Sequence, residues 1–74
     1  MKEYATKYIK RQFVGDKRRM ALAYIGNDEF NPNVMDIYYS QKEANEYITL
    51  DMAVECAVES YLQFMNEDFE VTNI

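Results

Sequence analysis

Apolar positions in the second half of the chain recur at helical spacing. Leu50, Ala53, Val54, Ala57, Val58, Tyr61, Phe64 and Met65 lie three and four apart, which places them on one helical face. A shorter stripe, Ala44, Tyr47 and Ile48, precedes them. At about 100° per residue the two stripes are out of phase by roughly a quarter turn. The pattern predicts a short helix over 41–47, a bend, and a longer helix over 50–66. Ser40 and Glu43 have the spacing of a capping box for the first. Thr49 is placed to cap the second, with Asp51 in its first turn. The tail FEVTNI (69–74) alternates and is β-rich, so a last strand is expected there.

The first half fits two periods. MALAYI (20–25) is a continuous apolar run of strand length, and Gly15-Asp16 fits a two-residue hairpin turn. In that register Ile9 faces Leu22, and one face carries Ala5, Ile9, Phe13, Met20, Leu22 and Tyr24. The other face carries Tyr4, Thr6, Tyr8, Lys10, Gln12 and Arg19. VMDIYYS (34–40) is then a third strand, after a loop, GNDEFNPN (26–33), rich in turn residues. The rival period is helical: Tyr4, Ala5, Tyr8, Ile9 and Phe13 also form a stripe, with Gly15 as a C-cap. The β period gives an α+β domain, a small antiparallel sheet (hairpin plus third strand) packed against a C-terminal helix. The helical period gives an all-α bundle of short helices.

Length and composition bound this picture. Seventy-four residues make one domain, 1–74, with a thin core that depends on good packing or on a partner. At 49% apolar and 15% aromatic the chain is too apolar to be disordered. No apolar stretch reaches membrane-spanning length, and no apolar run follows Lys2 and Glu3 as a signal peptide requires. The single cysteine, Cys56, excludes an internal disulfide, so a cytoplasmic location is expected, the host cytoplasm if the chain is viral. Cys56 beside Glu55 reads as an unactivated core or core-edge residue.

Catalytic equipment is sparse. There is no His, which removes the commonest general base and metal ligand. The two glycines, Gly15 and Gly26, form no phosphate loop. Asn27, Glu29, Asn31 and Asn33 alternate as in a calcium loop, but the turn glycine and closing glutamate are missing. No enzyme activity, metal or cofactor is expected.

Charge changes the picture most. Residues 1–26 hold seven Lys and Arg against Glu3 and Asp16, a net +5, while 27–74 hold Lys42 against eleven Asp and Glu, a net −10. Asp51, Glu55 and Glu59 stack as a ridge of like charge, each neighbouring pair costing a few tenths of a kcal/mol. Three readings follow: a solvated face, neutralisation by Arg11, Arg18 or Arg19, or a surface for a basic partner. The sequence favours a non-enzymatic protein that binds and inhibits or modulates another protein with a basic surface. Such a chain, encoded by a virus or mobile element, would imitate nucleic acid with its acidic face. The contact residues would be Asp51, Glu55, Glu59, Tyr4, Tyr8, Tyr38 and Tyr39, while Tyr47 and Tyr61 belong to apolar stripes. The alternative is a nucleic-acid-binding regulator using Lys7, Lys10, Arg11, Lys17, Arg18 and Arg19, with Tyr4 and Tyr8 as stacking platforms. A third is self-association, as a homodimer or longer assembly, through the opposite charges.

Overall fold

The contested segments of the first half resolve to helices. A computed structural model describes the backbone of residues 1–73 and the side chains of residues 1–65. It contains α1 (Lys2–Gln12), α2 (Gly15–Ile25), α3 (Phe30–Ala44) and α4 (Leu50–Asn73). No strand occurs among the described residues, so the α+β expectation is corrected to the all-α bundle.

The expected hairpin is instead a helix pair. Met20, Ala21, Leu22 and Ala23 are strong helix formers, and MALAYI buries Ala21, Tyr24 and Ile25, an i, i+3, i+4 set. Strand period would have buried alternate residues, but Ala23 is exposed. Gly15 does reverse the chain, with φ +63° at the start of α2, after Phe13 and Val14 in extended conformation. A Cβ at Gly15 meets nothing within 4 Å, so only the left-handed backbone selects glycine there.

The third strand is α3. Phe30 and Val34 are fully buried, with Ile37 and Tyr38 packed against the core one turn further on. That helical spacing overrides the β preference of Val, Ile and Tyr. Pro32 stands in the first turn, where no intrahelical N–H is needed. The loop before it is shorter than its composition implied, running only from Gly26 to Glu29. Asn27 shapes it, its Oδ1 accepting from the Glu29 amide at 3.0 Å.

The short helix over 41–47 is also corrected. Ser40 lies inside α3, which runs on to Ala44 without a capping box. The bend is real but begins earlier, at Asn45, whose Oδ1 accepts the Tyr47 amide at 3.0 Å. Of the first stripe only Ile48 is buried; Tyr47 is 79% exposed, against its expected core position. Thr49 does cap α4, its Oγ1 accepting the Met52 amide at 3.2 Å. In the tail, the expected strand is helical to Asn73, while Ile74 lies outside the described residues.

α4 is the central element, packing against all three other helices, whereas α1 and α3 do not meet. Its small residues Ala53 and Ala57 allow close approach, and Val54, Val58 and Leu62 fill the space between. Ile9, Phe30, Val34, Val54 and Val58 are the largest fully buried side chains. α1, α2 and α3 have no side-chain N-cap bond, so their stability rests on this packing. Cys56 falls on the outward face of α4 and is exposed, not at the core edge.

Candidate functional site

α1 and α4 meet along a seam that joins the tyrosines of the first half to the carboxylates of the second. Tyr4 and Tyr8 are one turn apart on α1, and Glu55 and Glu59 are one turn apart on α4. The Tyr4 hydroxyl donates to Glu55 Oε1 at 2.9 Å, and the Tyr8 hydroxyl donates to Glu59 Oε1 at 2.9 Å. Both pairs share one offset of 51 residues, which requires α1 and α4 to run parallel here. The two phenol rings stack, with centroids 6.4 Å apart and planes 7° apart, and Phe13 meets Tyr8 edge-on.

The ridge is therefore met by phenols rather than by arginines. Arg18 turns the other way: its Nε donates to the Phe13 carbonyl at 2.8 Å and its Nη2 to the Lys10 carbonyl. Those carbonyls lie at the C-terminal end of α1, where the helix cannot satisfy them itself. Arg19 pairs with Asp16 at 3.6 Å on an exposed surface, the sole ion pair among the described residues. Arg11 is exposed, near enough to favour ionisation of Tyr4 but not paired with the ridge.

Neighbouring carboxylates oppose ionisation of both phenols. Tyr4 is held above its usual value, first by its hydrogen bond to Glu55, with Asp51 adding to the effect. Tyr8 is raised strongly, first by burial and then by its hydrogen bond to Glu59. A raised folded value means the neutral phenol stabilises the fold fully below about pH 10, the unfolded value, and that this contribution is lost as pH climbs through the folded value. An alkaline titration followed by phenolate absorbance is expected to show a late-ionising fraction in the native chain, reduced after Tyr8→Phe to what Tyr4 contributes. A native curve superposable on the denatured one would contradict the seam.

The remaining expected contact residues lie elsewhere. Tyr38 and Tyr39 are on α3, which does not touch α1, so the tyrosines form two groups rather than one surface. Tyr38 is half-buried beneath Lys42, whose Nζ lies 5.2 Å from the ring centroid and donates to its hydroxyl at 3.2 Å. Tyr39 is exposed. Of the basic set, Lys7, Lys10, Arg11, Lys17 and Arg19 are exposed and Arg18 is half-buried. Lys2, Lys7 and Lys10 border an open groove along α1 together with Thr6 and the acidic Glu3. Lys10 and Arg11 also complement the α1 dipole, so part of the basic run serves the helix itself.

The Tyr–Glu pairing was missed from sequence, although its signal is present. Two residues one turn apart in α1 meet two residues one turn apart in α4. Only the helical period of the first half exposes that match. No protein-family model, curated protein or solved structure matches this chain. No helix among the described residues is long and apolar enough to cross a membrane.

Proposed function

We propose that this chain is a non-enzymatic, cytoplasmic protein-binding module. Its α4 ridge occupies a basic surface of another protein and so inhibits or modulates that protein. Asp51, Glu55 and Glu59 make the contact, with Tyr4 and Tyr8 fixing two of the three carboxylates in place. One observation carries the reading: no cation stands within ion-pair distance of the ridge among the described residues. Each phenol engages one oxygen of its carboxylate and leaves the charge in place. A row of carboxylates at one-turn spacing repels itself, and the Lys and Arg of a partner relieve that repulsion.

The test must remove charge without disturbing the seam. Asp51→Asn with Glu55→Gln and Glu59→Gln keeps an acceptor for each phenol. Nuclease-treated lysate identifies retained partners, and calorimetry then compares both forms against the principal one. The neutralised form is expected to keep its melting temperature and to lose at least tenfold in affinity, about 1.4 kcal/mol. Unchanged affinity defeats the proposal.

The lysine-bordered groove on α1 supports a second reading, in which the basic half contacts nucleic acid. Partners that vanish on nuclease treatment favour it over the ridge.

A further inference from the structure

A second surface, away from the α1–α4 seam, is built from chemistry the ridge lacks. Between the end of α2, the turn after it, α3 and α4 lies an open groove of about 460 Å³. Tyr24 and Tyr61 lie against it as a stacked pair, centroids 4.2 Å apart and planes 1° apart. Phe64 adds an aromatic wall that is 63% exposed. Glu29 and Asp36 stand among its lining residues, both exposed and neither in an ion pair among the described residues. No Lys or Arg lines it.

We propose that this groove binds the guanidinium of an arginine side chain carried on a basic segment of another protein. The inference goes beyond the ridge reading and stands without it. The charged groups of the groove ask for donors, while Asn27, Ser60 and the tyrosine hydroxyls can either accept or donate. Two carboxylates accept only, and Asn33 donates its amide to the Tyr24 hydroxyl at 3.0 Å, leaving its carbonyl oxygen as an acceptor. Guanidinium has five donors and no acceptor. Phosphate or carboxylate ligands would meet like charge, and a neutral apolar ligand would desolvate two carboxylates with nothing in return. Aromatic rings beside acids then choose between cations. Guanidinium is planar, weakly hydrated and stacks on rings, while the lysine ammonium is a strongly hydrated point charge. The exposed Phe64 ring offers a stacking surface, and Glu29 and Asp36 offer the charge.

The test is a nuclear magnetic resonance titration of the isotope-labelled chain with the capped tripeptide Gly-Arg-Gly, and with its Lys and Glu counterparts. The expected result is saturable shifts at the amides of Asn33, Asp36 and Tyr61, stronger for Arg than for Lys and absent for Glu. Glu29→Gln with Asp36→Asn should weaken binding at least tenfold without changing the thermal melt, since both side chains are exposed. The neutralised ridge variant should bind the Arg peptide as the wild type does. Loss of binding in that variant would put the peptide on the ridge and overturn the groove. Equal Arg and Lys binding, or an unaltered response in the groove variant, overturns it as well. Concentration-dependent shifts of these amides with no added peptide would mean that a second copy fills the groove, and would replace the proposal. A ridge that fails against its partner while the groove still takes the Arg peptide separates the two sites.

Discussion

Phe30→Ala should cost about 3–5 kcal/mol, the range for deleting a fully buried aromatic ring. Phe30 is the largest fully buried side chain, and its ring meets Tyr24 edge-on, centroids 5.3 Å apart and planes 84° apart. It opens α3, so the cavity would form where α2, α3 and the turn between them converge. A domain this small has only a few kcal/mol in hand, and each one lost lowers the melting temperature by roughly 4–8 °C. A fall of about 12–40 °C in a circular dichroism melt is therefore expected, with much of the variant unfolded at physiological temperature. Phe64→Ala is the internal control: the same deletion on an exposed ring should change stability by less than about 0.5 kcal/mol. Similar melting temperatures for the two variants would show that Phe30 is not where the core is closed.

Arg18→Ala carries the second large effect. Arg18 crosses from α2 to the carbonyls of Phe13 and Lys10, so one side chain closes the end of α1 and fastens it to α2. Hydrogen bonds from charged donors contribute about 1.5–3 kcal/mol when well buried, and half-exposure of Arg18 lowers the expected loss to about 1–2 kcal/mol. Arg18→Lys keeps the charge but not the forked geometry, and should recover only part. Arg19→Ala removes an exposed ion pair and should cost under about 1 kcal/mol. Urea melts of the three variants check this order, and Arg18→Ala as silent as Arg19→Ala would contradict the staple. The contrast also bears on any test of nucleic-acid binding: loss of binding in Arg18→Ala reports on the helix pair as much as on phosphate, whereas Lys7, exposed and outside the last turn of α1, is free of that ambiguity.

Some of this architecture was legible from residue order. The stripe from Ala53 to Tyr61 and the Thr49 cap described α4 because a long helix repeats its signal over many turns. The rest was not legible, for reasons that differ by segment. MALAYI is too short and too uniformly apolar to display a period, so helix and strand fit it equally until its buried set is known. Ser40 and Glu43 have capping-box spacing, but a capping signal is local and gives way when Phe30, Val34 and Ile37 pack one continuous helix through it. Tyr47 sits on an apolar stripe yet faces water, because the Asn45 turn falls between it and α3.

Residue order was enough for the helix-forming C-terminal half and for the division of charge between the two halves. These depend on composition and on repeats along one strand of chain. Tertiary structure alone decided which partners meet. It gave the acidic ridge to Tyr4 and Tyr8, directed Arg18 to the α1 carbonyls, exposed Cys56, and gathered Tyr24, Tyr61, Glu29 and Asp36 around one groove. Such pairings link residues up to 51 positions apart, and no local propensity or charge count carries the direction in which one helix crosses another.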